Sequence, residues 1–488
     1  MSKVLIFYTP IIEEIDRYSR IVHTLIEKNI NKEIFVVECK KVGHLNNCIS
    51  NYNGDLYKCH LCAKKRERLF KNYKNISFLN YPKIAEENCS ITNYDELKSL
   101  TYKKINIGIG IHSALISILK NHRYSLKKNN LLLNKVIKTS KKTIDLLHQN
   151  LHHNFNEIYV FNGRVSHFNA VVEFCKFFKI KYKIFEIVSD KNKYLLNTNS
   201  SVHDIETFNY DLNQKWDNQN HNKRQQIGKL FFNISKLEKL KSFNYKNYSS
   251  FQQKGQLPEI LSSLDSFITI FGSSKNEYQT VKGWENYFSS GDDEKIVQEI
   301  CEKFKDINFV YRAHPNLKLV KNQQTLDIET LKDIPNLKLF DQYSKVSTYD
   351  LIKFSEKIIV FKSTIGVEAN YFGKPVISIG PNWYKYLDIA YKPKNIKELQ
   401  MLIYNKNLKS KLKEDSVKYG YYILTRGKKL KKDSINLDLQ INNLSIIYIY
   451  FLKIFSFARL ITFKKIYLYL RSIKDVRVRK KIIEYFST

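Results

Sequence analysis

Three short polar stretches of this 488-residue chain carry the residue types from which a phosphate site is built. Lys362-Ser363-Thr364 follows the apolar run 358–361 and precedes a short helix that starts near Gly366 and ends at Gly373, with Pro375 beyond it. Such a loop offers backbone N–H groups, two hydroxyls and an ammonium at a helix N-terminus, where an anion is stabilised. The same stretch also reads as a plain strand–helix–strand crossover with a Ser/Thr cap. Gly272-Ser273-Ser274-Lys275-Asn276-Glu277 is a second polar loop behind an apolar strand. In Arg312-Ala313-His314-Pro315, Arg312 and His314 are two apart and share a face in extended chain, and Pro315 fixes the turn.

The first half of the chain carries a second set. Asn162-Gly163-Arg164 closes the apolar run 157–161 and leads into a helix with His167 in its first turn. Open α/β sheets bind ligands at strand carboxyl ends, so Arg164 is a candidate anion contact or a surface arginine. Glu186, near the end of the run 182–187, reads as a candidate general base, with Asp204 second; both types also serve as caps and ion-pair partners. Cys39, Cys48, Cys59 and Cys62 have two readings: a four-thiolate zinc site of uncommon spacing, or four reduced thiols in a loop-rich insert. Lys64 to Arg68 reads as a solvated basic helix face.

The elements that must hold these residues alternate strand with helix, which points to an α/β fold. Val4 to Tyr8 is a first buried strand, followed by a helix to about Lys28, and residues 33–37 a second strand. No G-x-G-x-x-G is present. The run 105–111, broken by Gly108 and Gly110, reads as a strand ending in a tight turn, and 120–150 as an amphipathic helical stretch. Residues 252–258 read as a linker. The expected organisation is a first Rossmann-like domain over 1–255 with a cysteine-rich insert at 39–62, a second Rossmann-like domain over 256–430, and a basic amphipathic tail over 431–488. That tail suits either an acidic membrane surface or packing on the body.

Lys and Arg number 81 against 47 Asp and Glu, a net charge of +34. This favours an anionic partner, although Lys, Asn and Ile are abundant throughout. The opening MSKVLIFYTP runs straight into a strand, and seven cysteines in so long a chain are no disulfide framework, so a reducing, cytoplasmic compartment is expected. Aromatic residues fall mostly inside apolar elements and no nucleic-acid module is present, which argues against nucleic-acid binding.

The order of Phe271-Gly272-Ser273-Ser274 with Glu277, Arg312-Ala313-His314-Pro315, and Ser363-Thr364-Ile365-Gly366-Val367-Glu368-Ala369 with Gly373-Lys374-Pro375 resembles bacterial capsule and surface polysaccharide glycosyltransferases, including Kdo transferases. The His-Pro and Ser-Thr pairs are also similar to motifs of bacterial sialyltransferases. The resemblance implies a GT-B architecture, with two Rossmann-like domains facing a cleft. It implies a nucleotide-sugar donor on the second domain, with His314 and Pro315 at the donor phosphate or nucleotide and Ser363 and Thr364 holding the phosphate. Glu368 and the loop from Ser273 to Glu277 would lie beside the nucleoside. Arg312, His314 and Lys362 would meet the leaving charge without a metal, and no catalytic cofactor is implied. The base would come from the first domain, with Asn162 and Arg164 on the acceptor side. A glycan or glycolipid acceptor at the inner face of the cytoplasmic membrane completes the expectation. A polyol-phosphate transferase on the same fold, with a CDP-linked donor, is the neighbouring alternative.

Overall fold

The structure is a computed structural model. It describes residues 2–10, 12–39, 48, 51–52, 55–71, 73–84, 89–233, 252–255, 257–275, 278–287, 292–318 and 320–431. The basic tail from 432 onward and Glu277 lie outside the described residues.

Continuous apolar runs form the central strands because both faces of each are covered. The first sheet contains β1 (Lys3–Tyr8), β2 (Glu33–Glu38) and β3 (Ile76–Asn80). A two-residue hairpin, β4 (Thr101–Tyr102) and β5 (Ile105–Asn106), stands apart from it. The first sheet continues with β6 (Glu157–Phe161), β7 (Tyr182–Ile187) and β8 (Lys193–Thr198). The second sheet contains β9 (Ile268–Phe271), β10 (Phe309–Arg312), β11 (Leu337–Phe340), β12 (Lys357–Val360) and β13 (Val376–Ser378). The last described strand is β14 (Lys428–Lys429).

The first sheet has the order β14-β8-β7-β6-β1-β2-β3, parallel from β7 to β3 and antiparallel at β8 and β14. The second has the order β11-β10-β9-β12-β13 and is parallel throughout. In both, the winding direction reverses beside the first strand: between β1 and β6, and between β9 and β12. Those reversals open a crevice outside the carboxyl ends of the strands, the place where open α/β sheets seat ligands. The two-domain α/β architecture expected from the sequence is present.

One core surrounds β1, with Val4, Leu5, Ile6 and Phe7 fully buried. Two further clusters cover the two faces of the second sheet. Phe208 and Leu212, on the helix Ile205–Asp217 that precedes the expected boundary at 255, sit in one of these together with Tyr419 and Tyr422 of the helix Lys413–Thr425. Beyond that helix, β14 returns to pair with β8, Lys428 opposite Tyr194. The chain therefore crosses between the two units more than once.

The run 105–111 departs from expectation. Only Ile105–Asn106 is extended, and Gly108–Leu119 is helical. A Cβ on Gly108 would fall on the carbonyl of Leu97, so close packing against the preceding helix, and not a turn, requires that glycine. Among the described residues no helix is long and apolar enough to cross a membrane.

Candidate functional site

The register of the second sheet places Phe271 between Arg312 and Val360, so the loops after β9, β10 and β12 leave at one level. Sequence reasoning singled out these three loops, and the fold sets them side by side at the reversal between β9 and β12.

Asp293 ties them together. It lies in the first turn of the helix Asp293–Lys303 and is buried. Its carboxylate accepts from Ser273 Oγ at 2.7 Å and from Asn286 Nδ2 at 3.2 Å, and it faces Lys362 Nζ at 3.7 Å. Lys362 also donates to Asn286 Oδ1 at 2.9 Å. Burial works against the Asp293 charge, yet Lys362, Lys275 and the two hydrogen bonds outweigh it and hold the carboxyl below its ordinary range. Lys275 pairs with Glu294 and, at 3.3 Å, with Asp292. Gln324 braces the loop by donating to the Ser273 carbonyl at 2.8 Å and to Glu294 at 3.1 Å. Asp292 and Asp293, at the start of this helix, are the anionic centre that positions two candidate phosphate loops. Ser273 and Lys362 reach the crevice already engaged.

Ser363 is half-buried, and its hydroxyl accepts from the Ile365 N–H at 3.3 Å, while Thr364 is exposed. The loop carbonyl at Ser363 accepts from Tyr384 Oη at 2.9 Å. Gly366 opens the tight packing behind it, since a Cβ there would fall on that same Tyr384 hydroxyl. The helix Ile365–Tyr371 and the positive φ of Gly373, 82°, match the sequence reading of this segment. Ser274 is half-buried on the neighbouring loop.

His314 caps a single turn, Pro315–Leu317, and its Nδ1 accepts the Asn316 N–H at 3.1 Å. Burial and the nearby Arg312 lower its pKa to about 4, so the ring is neutral at pH 7. With Nδ1 accepting, the proton of the neutral ring sits on Nε2, which makes it a hydrogen-bond donor. Arg312 has a different task from the catalytic one expected. It is buried, and its guanidinium donates to the carbonyls of Asp341 and, at 3.0 Å, Ser344. It anchors the loop after β11, and burial lowers its pKa to about 10.

Glu368 is half-buried on the helix Ile365–Tyr371 and accepts from the Tyr349 hydroxyl. Burial raises its pKa to about 7 against the effect of that hydrogen bond.

The first sheet supplies the opposite wall. At the end of β6 the backbone turns through Asn162 (φ 57°), Gly163 (φ 72°) and Ser166 (φ 42°). Left-handed conformations at non-glycine residues cost energy and concentrate at functional turns. This turn aims Asn162 Nδ2 at Glu186 Oε2, 2.7 Å away, while Glu186 Oε1 accepts the Ile187 N–H at 2.9 Å. The Arg164 N–H donates to Asn162 Oδ1 at 3.2 Å, and its guanidinium donates to Ser113 Oγ at 3.0 Å and Ser117 Oγ at 3.3 Å. Asn162 and Arg164, read from sequence as one stretch, and Glu186, read separately, therefore form one cluster. Burial raises the Glu186 pKa to about 7, opposed by Asn162, the Ile187 N–H, Arg164 and Arg426. A carboxyl poised there is half ionised at neutral pH, the range in which a general base works best. Asp204, the second candidate base, is a helix cap: it accepts the N–H groups of Glu206 at 2.8 Å and Thr207 at 3.1 Å.

Contacts from both strand-end regions join the two walls. Trp284 Nε1 donates to the His203 carbonyl at 3.1 Å, and the His203 ring stacks near Trp383 with centroids 6.2 Å apart. Burial, with Arg164 as a smaller contribution, lowers the His203 pKa to about 4. Arg426, between the helix Lys413–Thr425 and β14, acts electrostatically on Glu186 and on Tyr419 and Tyr422. On the other side, His122 approaches Asp292 at 3.4 Å, and Arg123 pairs with Asp292 and, at 3.5 Å, with Asp327. Nothing in the local sequence around Arg426, Asn286 or Arg123 marks them, because their roles come from partners distant along the chain.

The four candidate zinc ligands belong to the end of β2 and the segment that follows it. Cys39 follows β2, Cys48 bridges to Asn51, and Cys59 and Cys62 lie on the helix Leu56–Phe70. The expected basic solvated face of that helix is instead partly buried, with Lys65 pairing with Asp16 at 2.7 Å and Arg66 with Glu38 at 3.3 Å.

No family model matches the chain, and no curated protein matches it significantly. Among solved structures, the chain is similar to the KpsC β-Kdo 2,4 transferase of Thermosulfurimonas dismutans at 12% identity, over 55% of this chain and 79% of that one, with a TM-score of 0.34. It is similar to the UDP-GlcNAc 2-epimerase of Methanocaldococcus jannaschii in complex with UDP-GlcNAc and UDP at 13% identity, over 86% and 97%, with a TM-score of 0.28. It is similar to Medicago truncatula UGT71G1 complexed with UDP-glucose at 10% identity, over 94% and 95%, with a TM-score of 0.22. At this level of similarity, neither donor nor acceptor follows from any of them.

Proposed function

We propose that this chain is a glycosyltransferase that moves a sugar from a nucleotide-activated donor, with CMP-linked sugars among the candidates, to a surface polysaccharide or lipid-linked glycan. The observation that carries the reading is the pairing of two strand-end crevices. One holds a neutral imidazole donor among hydroxyl-bearing loops, and the other holds a carboxyl with a pKa of about 7.

In this reading the acceptor hydroxyl gives its proton to Glu186 while its oxygen bonds to the anomeric carbon. The bond from that carbon to the donor phosphate breaks, and charge gathers on the departing nucleotide. His314 Nε2–H and the hydroxyls of Ser363 and Thr364 meet that charge, which is where preorganised donors act most strongly. Pro315 fixes the His314 turn, Ser273, Ser274 and Gly366 shape the phosphate loops, and Glu368 borders the nucleoside. Lys362 contributes through its pair with Asp293, and Arg312 acts by positioning. Asn162 orients Glu186, with Arg164 beside it on the acceptor side. Transfer in this form needs no metal. The basic tail, read from sequence, would hold the enzyme on the acidic inner face of the cytoplasmic membrane near a lipid-anchored acceptor.

The test is thermal stability of the purified protein with CMP, CDP, UDP, GDP and ADP, alongside His314→Ala. A ligand that binds only the folded state raises Tm. One nucleotide that stabilises the parent and not the variant supports the donor site and names the donor class. No shift with any nucleotide refutes the reading.

A further inference from the structure

The cysteine-bearing segment next to β2 plays no part in the transfer chemistry, yet its parts are fastened to one another. Cys59 and Cys62 are three apart on the helix Leu56–Phe70, so their side chains leave the same face. The chain at Cys48 folds back so that the Asn51 N–H donates to the Cys48 carbonyl at 2.8 Å. Asn51 then reaches the helix, its Nδ2 lying 3.0 Å from Cys59 Sγ and 2.7 Å from the Asp55 carbonyl. Arg66, one turn beyond Cys62, donates to the Cys39 carbonyl at 2.8 Å while pairing with Glu38. Three separate segments thus meet at one helix, the Cys48 segment being tied to it through Asn51 and the Cys39 segment through Arg66.

We propose that Cys39, Cys48, Cys59 and Cys62 form a four-thiolate site for a single zinc ion, which staples the segment after β2 to the helix that follows it. Thiolates are the ligands that zinc favours, and four of them make the closed tetrahedral shell of a structural site. Among the described residues no three ligating side chains already stand close enough together to hold an ion. Closure therefore requires the thiols to turn inward, which a cysteine achieves by moving between χ1 wells. Cys62 lies within electrostatic reach of Cys48, Cys39 and Cys59 as well as of Arg66, so the four thiols share one neighbourhood. A thiol that coordinates zinc does so as the thiolate. Arg66 is placed to offset the excess negative charge of a four-thiolate shell. A Cys59–Cys62 disulfide fits less well, because two cysteines one turn apart on a helix cannot pair with each other without distorting it.

The test is metal analysis of the full-length protein, purified without chelator and dialysed after exposure to a zinc salt, with acid-labile sulfide measured on the same sample. The expected result is about one zinc per chain and no sulfide. Cys62→Ser and Cys39→Ser should each lose most of the zinc, Cys89→Ser should retain it, and a strong chelator should lower the Tm of the parent. If Cys62→Ser does not fold, Cys39→Ser and the chelator melt of the parent decide. A folded parent that holds no zinc overturns the proposal. So does zinc retained in Cys39→Ser, or iron with sulfide in place of zinc.

Discussion

Replacing Glu186 with glutamine should make the protein more stable and less active, with the stability gain confined to high pH. Folding raises this carboxyl from its ordinary 4.5 to about 7. A raised carboxyl binds its proton more tightly in the folded state than in the unfolded one. The stability it confers is therefore complete below about 4.5 and is lost as pH rises through about 7. At about 1.4 kcal/mol per pH unit, the full penalty above pH 8 is on the order of 3 kcal/mol. Glutamine copies the neutral carboxyl in shape, and its carbonyl oxygen accepts from one of the two donors, Asn162 Nδ2 or the Ile187 N–H, that the two carboxyl oxygens serve. The variant should match the parent near pH 4.5 and exceed it by up to about 3 kcal/mol at pH 8.5. Denaturant midpoints at the two pH values measure this, with the slope checked for constancy. Activity, once the donor is known, should fall by about a hundredfold or more if Glu186 takes the acceptor proton. An equal stability difference at both pH values would refute the placement of Glu186 as a half-buried, poised carboxyl. A stability gain with full activity would refute its role as base.

Other expectations follow from the same geometry. Asp293→Ala removes the carboxylate shared by Ser273, Asn286 and Lys362 and leaves buried cations under-compensated. It should cost about 3 kcal/mol or more in chemical denaturation, and a loss under about 1 kcal/mol would show that the network is not buried as described. Gly366→Ala pushes a methyl group onto the Tyr384 hydroxyl and displaces the Ser363 loop. About 1–3 kcal/mol of destabilisation with weakened nucleotide binding is expected, and unchanged binding would separate this loop from the donor. His314 stays neutral down to about pH 4, so nucleotide affinity should be flat between pH 6 and 8 as far as this residue is concerned. A His314-dependent break near pH 6.5 would show that its ring is solvated.

The sequence alone placed the strands and their polar ends. The runs at β1, β6, β9, β10 and β12 are apolar because parallel strands are covered on both faces, a local property readable from composition. The loops that leave those ends had to carry whatever chemistry the fold supports, so Ser273, His314, Lys362, Asn162 and Glu186 could be chosen without a structure. The helix at Gly108–Leu119 was misread because a short apolar run with two glycines has no decisive period. Partnership was decided only by the tertiary structure. Glu186 meets Asn162 across 24 positions, Lys362 meets Asn286 across 76, and Lys275 meets Gln324 across 49. Arg312 is taken up by the loop after β11, and Asp204 by its own helix. The poised state of Glu186 likewise arises from burial in the assembled fold, because no local pattern encodes how much water a strand end retains.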